Sequence, residues 1–146
     1  DASSRANGQT AGEALGLLSW SMSSFKGSGA TPNGWVDFNV CSTDEEFDKG
    51  LERGLAMAES VNLARTLAAT PPNVATPDWM AGQAEALEAL GLTVSVMRGE
   101  DLERERLEGL INVGKASVHE PCLVRIEYLP PSGRSKRIWG MSMMTR

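Results

Sequence analysis

Residues 43–77, TDEEFDKGLERGLAMAESVNLARTLAATPPNVATP, constrain the fold more than any other stretch of this chain. They join a long helical pattern to a double proline and a second helix start. Thr43 is placed to cap the helix, and Glu46 three residues on completes a capping box. Asp44, Glu45 and Glu46 put negative charge at the positive end of the helix dipole. Phe47, Leu51, Leu55, Ala58 and Val61 recur at spacings of three and four, as one face of an amphipathic helix requires. Leu63 and Leu67 extend a second apolar stripe. Pro71 and Pro72 stop the pattern, because neither has an N–H to donate and Pro71 biases Thr70 away from helical geometry. The chain restarts with Thr76 as cap, Pro77 at the first helical position and Asp78 in the first turn. A helix of roughly 27 residues would span about 40 Å, a length suited to a connector between two packed bodies.

The rest of the 146 residues bounds the function classes. Fourteen basic and 19 acidic side chains give a formal charge of −5, well mixed along the chain, so the electrostatic footprint of a nucleic-acid binder is missing. No apolar run approaches the ~20 residues that cross a bilayer. Cys41 and Cys122 are far apart, with no CxxC pair to suggest zinc or a redox dithiol, and a reduced, cytoplasmic setting is expected. No signal-peptide pattern precedes the first element. The first residue is Asp1, which suggests a processed chain or an internal piece.

In order, residues 1–10 are small and polar and read as a loop, and residues 11–20 as a short helix weakened by Gly12 and Gly16. Residues 23–34 read as a loop, and residues 35–41 (WVDFNVC) as a strand with Val36, Phe38 and Val40 on one face. Beyond the double proline, residues 77–90 form a helix with Met80, Ala84, Leu87 and Leu90 facing inward, closed by Gly91. Residues 92–97 (LTVSVM) alternate as a strand. A charged stretch over 99–109 contains a short helix with Leu102 and Leu107 inward. Residues 110–113 and 122–129 read as strands, 130–136 as a turn, and 137–140 as the start of a further strand. The fold class is α/β: a long connecting helix, then the first helix and strands of an incomplete α/β/α layered domain.

Residue chemistry alone assembles no active site. His119, the only histidine, lies in a loop beside Glu120 and reads as solvent-exposed, without the HxxxH or HExxH spacing a metal site would need. Ser117 lacks a GxSxG context, and residues two apart on a loop seldom aim at each other, so a Ser117–His119 nucleophile pair is not expected. Gly109, Gly114 and Lys115 match the spacing of a phosphate-binding loop, but Ala116 replaces the magnesium-binding hydroxyl and no helix opens after it. The acidic and basic residues of 100–108 read as a solvated helix face. Trp20, Trp35, Trp79 and Trp139 read as core or interface aromatics.

The order Ala58-Glu59-Ser60-Val61-Asn62-Leu63-Ala64-Arg65, then Thr70-Pro71-Pro72-Asn73 and Thr76-Pro77, resembles the leucyl (cytosol) aminopeptidase family. Gly91 to Val96, Val113-Gly114-Lys115-Ala116-Ser117 with Pro121, and the strand from Leu123 agree with it in order. The resemblance implies residues 1–42 as the tail of an N-terminal α/β domain, 43–73 as the inter-domain helix and proline stop, and 74–146 as the start of a metallo-aminopeptidase domain. It implies a two-metal exopeptidase, using zinc or manganese, that removes N-terminal residues from peptides as a cytoplasmic homohexamer. Aligning Gly140 with the family's VGKGxxxDxGG stretch puts Met141 at its metal-binding lysine and Arg146 at its aspartate. A thioether and a cation cannot replace those ligands. No catalytic, cofactor-binding or metal residue is therefore transferred, and the chain alone is expected to be an inactive fragment or truncated relative. The rival expectations are a non-enzymatic assembly or regulatory module docking on a full-length homologue, and a nucleotide-binding domain built on Gly109–Lys115. If the long helix lacks its family partners, Leu51, Leu55 and Val61 should not all be buried.

Overall fold

The computed structural model describes residues 1–22 and 37–130, and the backbone of 136–141. The chain divides into two compact units, Asp1–Thr70 and Pro71–Arg146. It is an α/β protein, with its helix pair in the first unit and its sheet in the second.

The first unit is built on two parallel helices, α1 (Ala2–Leu18) and α2 (Glu45–Ala69). α1 starts far earlier than the sequence suggested: the expected loop over 1–10 is helical, and Asp1 caps it by accepting from the Ser3 amide. The reason is tertiary. Gly8, Gly12 and Gly16 on α1 face Gly50, Gly54 and Ala58 on α2, all at a spacing of four. A Cβ at Gly12 would meet Leu51 O at 2.3 Å, and one at Gly54 would meet Gln9 O at 2.1 Å. The glycines that weaken α1 as an isolated helix are what lets the two backbones touch.

α2 has 25 residues, close to the length expected. Its cap is Asp44, not Thr43: the carboxylate accepts from the Glu46 amide at 2.9 Å and the Phe47 amide at 3.4 Å. A charged acceptor at the positive end of a helix dipole outcompetes a hydroxyl, so the proposed Thr43–Glu46 capping box does not form. The apolar stripe is only partly covered. Leu51 is half-buried, while Leu55 and Val61 are 43% and 44% exposed, as expected of a helix face without a full complement of partners. The strand expected over 35–41 is absent where it is described: residues 37–41 carry no strand, and 35–36 lie outside the described residues.

In the second unit the proline stop and restart are as read. Thr76 caps α3 (Pro77–Glu85) by accepting from the Trp79 amide, and Pro77 opens the helix. After Glu85 the helix tightens into a 3₁₀ segment, Ala86–Leu90, closed by Gly91 at φ 80°. The change of period turns Leu90 outward, against expectation; it is 75% exposed. Three strands follow, β1 (Thr93–Arg98), β2 (Cys122–Tyr128) and β3 (Lys136–Met141), antiparallel in the order β1-β2-β3. Ala81 and Ala84 of α3 pack on Cys122 and Val124 of β2, with Val94, Val96 and Ile126 around them.

Between β1 and β2 lie α4 (Glu100–Arg104) and α5 (Glu108–Gly114). The first is the short charged helix anticipated, with Leu102 buried and an Arg104–Asp101 pair on its face. The second corrects the sequence reading, which made a strand of Leu110–Val113. A run of three apolar residues interrupted by Asn112 fits either state, and no described strand pairs with it. Gly114 fixes the outcome by lying under the Pro121 ring, where a Cβ would come within 2.5 Å of Cγ.

Candidate functional site

Each sequence candidate now has a place. Gly109 and Lys115 lie in or directly after α5, where Ile111 N donates to Leu107 O and Lys115 N to Ile111 O, both at 3.1 Å. The segment is a helix rather than an open loop whose amides wrap a phosphate, which counts against the nucleotide-binding reading. Ser117 and His119 meet only through the main chain, the His119 amide donating to Ser117 Oγ at 3.1 Å. His119 itself is half-buried rather than solvent-exposed, because the loop folds back over α4 and α5. With Ser117, Glu120, Leu102, Ile111 and Pro121 it lines a cavity of about 330 Å³ in the second unit.

The strand ends beside that cavity hold the remaining polar chemistry. Asp78 at the start of α3 pairs with Arg98 at the end of β1. Cys122 is fully buried, and its Sγ lies 3.5 Å from Pro77 O. Burial pushes its thiol pKa up, with Arg98 opposing, so this is an inert core thiol and no nucleophile. Among the described residues no three His, Cys, Asp or Glu side chains converge as metal ligands. Met141 is described only as β3 backbone, and Arg146, Trp35 and the Trp139 side chain lie outside the described residues.

The first unit carries a polar clasp that sequence reasoning named without assigning it a job. Asn62 Nδ2 donates to Gly16 O at 2.8 Å and Arg65 Nη1 to Leu17 O at 3.2 Å, so α2 caps the carbonyl end of α1. Arg65 also lies over the Trp20 ring, 5.6 Å from its centroid, and Trp20 Nε1 donates to Thr66 Oγ1 at 3.0 Å. The Asn-Leu-Ala-Arg sequence thus earns its spacing: residues three apart on one helix face reach successive carbonyls in the last turn of another. Trp20 is an interface aromatic, as read.

Alongside the clasp, the same unit opens a groove of about 830 Å³. Leu15, Phe38, Val40, Leu51 and Leu55 line it, and Glu52 and Glu59 stand on its α2 side.

Among known proteins, the model of the cytosol aminopeptidase family's catalytic domain matches residues 62–140. The probable cytosol aminopeptidase of Rhodococcus erythropolis is 35% identical over 136 residues, covering 88% of this chain and 27% of that protein. That of Methylobacillus flagellatus is 39% identical over 84 residues, covering 57% of this chain and 17% of its own length. The chain therefore spans about a quarter or less of these relatives. Among solved structures, the bottromycin maturation enzyme BotP superposes with a TM-score of 0.72 at 28% identity, over 86% of this chain and 26% of BotP. A structure of BotP in complex with Mn gives 0.68 at 27% identity, over 85% of this chain and 26% of that one. With its Asn62–Arg65 clasp, proline stop and first strands all inside or bordering the matched region, the chain belongs to the cytosol aminopeptidase family.

Proposed function

We propose that this chain corresponds to the part of a cytosol aminopeptidase that leads out of an N-terminal domain and opens the catalytic domain, and that by itself it cleaves no peptide. In this reading residues 1–42 are the tail of the N-terminal domain, 43–73 the join, and 74–146 the start of the catalytic domain. The observation that carries it is the family match over 62–140, which begins inside α2 and continues through the sheet without gathering a metal-ligand cluster among the described residues. The longer protein would be a cytoplasmic, homohexameric exopeptidase that uses two divalent ions, zinc or manganese, to release N-terminal amino acids.

Those ions do not fit the residues described here. His119 and Glu120 line one cavity, but no group of three ligands forms there among the described residues, and Cys122 is sealed in the core with a raised pKa. On the family alignment, a thioether and a guanidinium stand at Met141 and Arg146, where a lysine and an aspartate are needed. What this chain supplies is framework: α3 and β2 form the packed floor, and the Arg98–Asp78 pair ties the strand end to the helix start. Incubation with leucine p-nitroanilide, with and without Mn²⁺ or Zn²⁺, should release no p-nitroaniline above the blank. Metal-dependent release would overturn the proposal.

The exposed faces of Leu55 and Val61 favour a second reading, an assembly module that docks on a full-length homologue. Native mass measurement after mixing the two chains separates the readings, since a mixed oligomer appears only in the second.

A further inference from the structure

The outer side of β1 carries a hydrogen bond from outside the sheet. In the order β1-β2-β3, β1 has β2 on one side and no strand on the other among the described residues. Successive amides of an antiparallel strand point alternately toward the partner and away from it. The Val94 amide points away: it donates to Glu88 Oε1 at 3.3 Å, so the amides of Val96 and Arg98 face the same open side. Such a row of outward amides is a template for another strand. The composition of β1 favours one, because TVSVMR holds no proline and, before Arg98, no charge.

Glu88 is held where it can make this bond. It lies in the 3₁₀ segment Ala86–Leu90, and its own carbonyl accepts from the Gly91 amide at 2.9 Å. Gly91, at φ 80°, turns the chain into β1, a conformation that glycine adopts without strain. The first outward amide of the strand, at Val94, thereby comes within reach of the side chain three residues before the turn. Glu88 is itself exposed, so nothing in the packing of the core requires a carboxylate at that position.

We propose that Glu88 is an edge guard: by filling the first outward amide of β1, it keeps a second copy of this chain from adding its own β1 to the sheet. An incoming strand completes its ladder only by displacing a charged acceptor that is already bonded. Pairing of β1 with β1 about a twofold axis meets one such guard at each end of the new ladder. The guard is independent of the family reading, because it needs only the sheet order and this one bond.

The test compares the full wild-type chain with Glu88→Ala, a change at an exposed position. At low concentration the Val94 amide should exchange with deuterium faster in the variant. As concentration rises, sedimentation velocity should show Glu88→Ala dimerising roughly tenfold or more tightly than the wild type, with Val94 protected again in the dimer. Adding Ser95→Lys to that variant sets like charges against each other across a β1–β1 pairing, and should return it to wild-type behaviour. Glu88→Gln keeps a carbonyl oxygen for the same bond, so it should match the wild type in both measurements. Equal self-association of the wild type and Glu88→Ala, unchanged exchange at Val94, or a dimer indifferent to Ser95→Lys would overturn the proposal. So would a Glu88→Gln chain that behaves as Glu88→Ala does, since charge rather than the bond would then be the barrier.

Discussion

At the residue scale, the decisive positions are the ones with no side chain. Gly54 and Gly82 are both helical glycines, yet alanine should act on them in opposite directions. At Gly54 the added Cβ collides with Gln9 O at 2.1 Å and Glu13 N at 2.7 Å, and these are backbone atoms of α1 that cannot step aside singly. At Gly82 nothing lies within 4 Å. Urea unfolding should show Gly54→Ala destabilised by about 1–3 kcal/mol and Gly82→Ala stabilised by about 0.5–1 kcal/mol. Equal effects would mean that α1 and α2 are not in backbone contact. Asp44 offers a second test. The Ser4 hydroxyl, then the Glu46 and Phe47 amides, hold its carboxyl below the usual aspartate range. Its folded pKa is depressed, so its stabilisation is complete above the unfolded value of about 3.9 and is lost as pH falls through the folded one. Glu46 is shifted the same way, first by its hydrogen bond from Lys49, and adds to the same acid limb. Asp44→Asn keeps a capping oxygen but cannot titrate, so its Tm should fall less steeply than the wild type's below about pH 4. Parallel curves would assign the acid limb to other groups. The sequence reading put the cap one residue early, at Thr43. Both residues are good caps; the charge of Asp44 at the helix start favours it, and so does Ser4, 40 residues away in the chain, which donates to its carboxylate.

At the scale of elements, the α1–α2 clasp is the test piece. Asn62→Ala leaves Gly16 O with only its local Ser19 donors and cuts its tie to α2, and Arg65→Ala removes the donor to Leu17 O together with the Trp20 stack. Each should cost about 1–2 kcal/mol and loosen the last turn of α1, read as faster amide exchange over residues 16–19. Arg65→Lys should restore the charge but little of the protection, since an ammonium neither stacks flat on indole nor forks between two acceptors. Full recovery with lysine would make the contact a matter of charge alone. Legibility at this scale followed the kind of signal. The proline stop, the Thr76–Pro77 restart and strands β1 and β2 were readable because their cues are local: a missing N–H, a cap, an alternation of two. The first half of α1 was not, since its glycines look like loop until α2 is laid against them. Nor was α5, where Leu110 to Val113 suit strand or helix and the Gly114–Pro121 contact decides.

At the scale of the whole molecule, buried bulk is scarce among the described residues. The largest fully buried side chains are Leu102, Pro77 and Cys122, while Leu18, Phe38 and Leu129 are each more than 60% exposed. A chain with this much apolar surface in water should bind 1-anilinonaphthalene-8-sulfonate in native buffer, with the enhancement reduced in Leu55→Glu. A native chain that leaves the dye dark would show that these residues are covered in solution. No helix among the described residues is long and apolar enough to cross a membrane. The candidate site was the least legible part of the sequence. His119, Ser117 and Glu120 were found as letters, but the cavity they line exists only because the loop returns over α4 and α5. The groove combines Phe38 and Val40 with helices that no local pattern links to them.

The fourfold spacing of small residues on α1 and α2 also sets a problem of alignment. A surface that repeats every four residues nearly matches itself after one turn, so sliding α1 by about 6 Å along α2 would still set glycine against small residue at most positions. The seam alone is thus a ruler without a zero mark. The marks are at its ends: Ser4 on Asp44 at the start, and Asn62 and Arg65 on the Gly16 and Leu17 carbonyls at the finish. None of these survives a one-turn slip. Removing both sets together should therefore not separate the helices but leave them paired in more than one registration. That would appear as doubled amide resonances for the glycines of the seam.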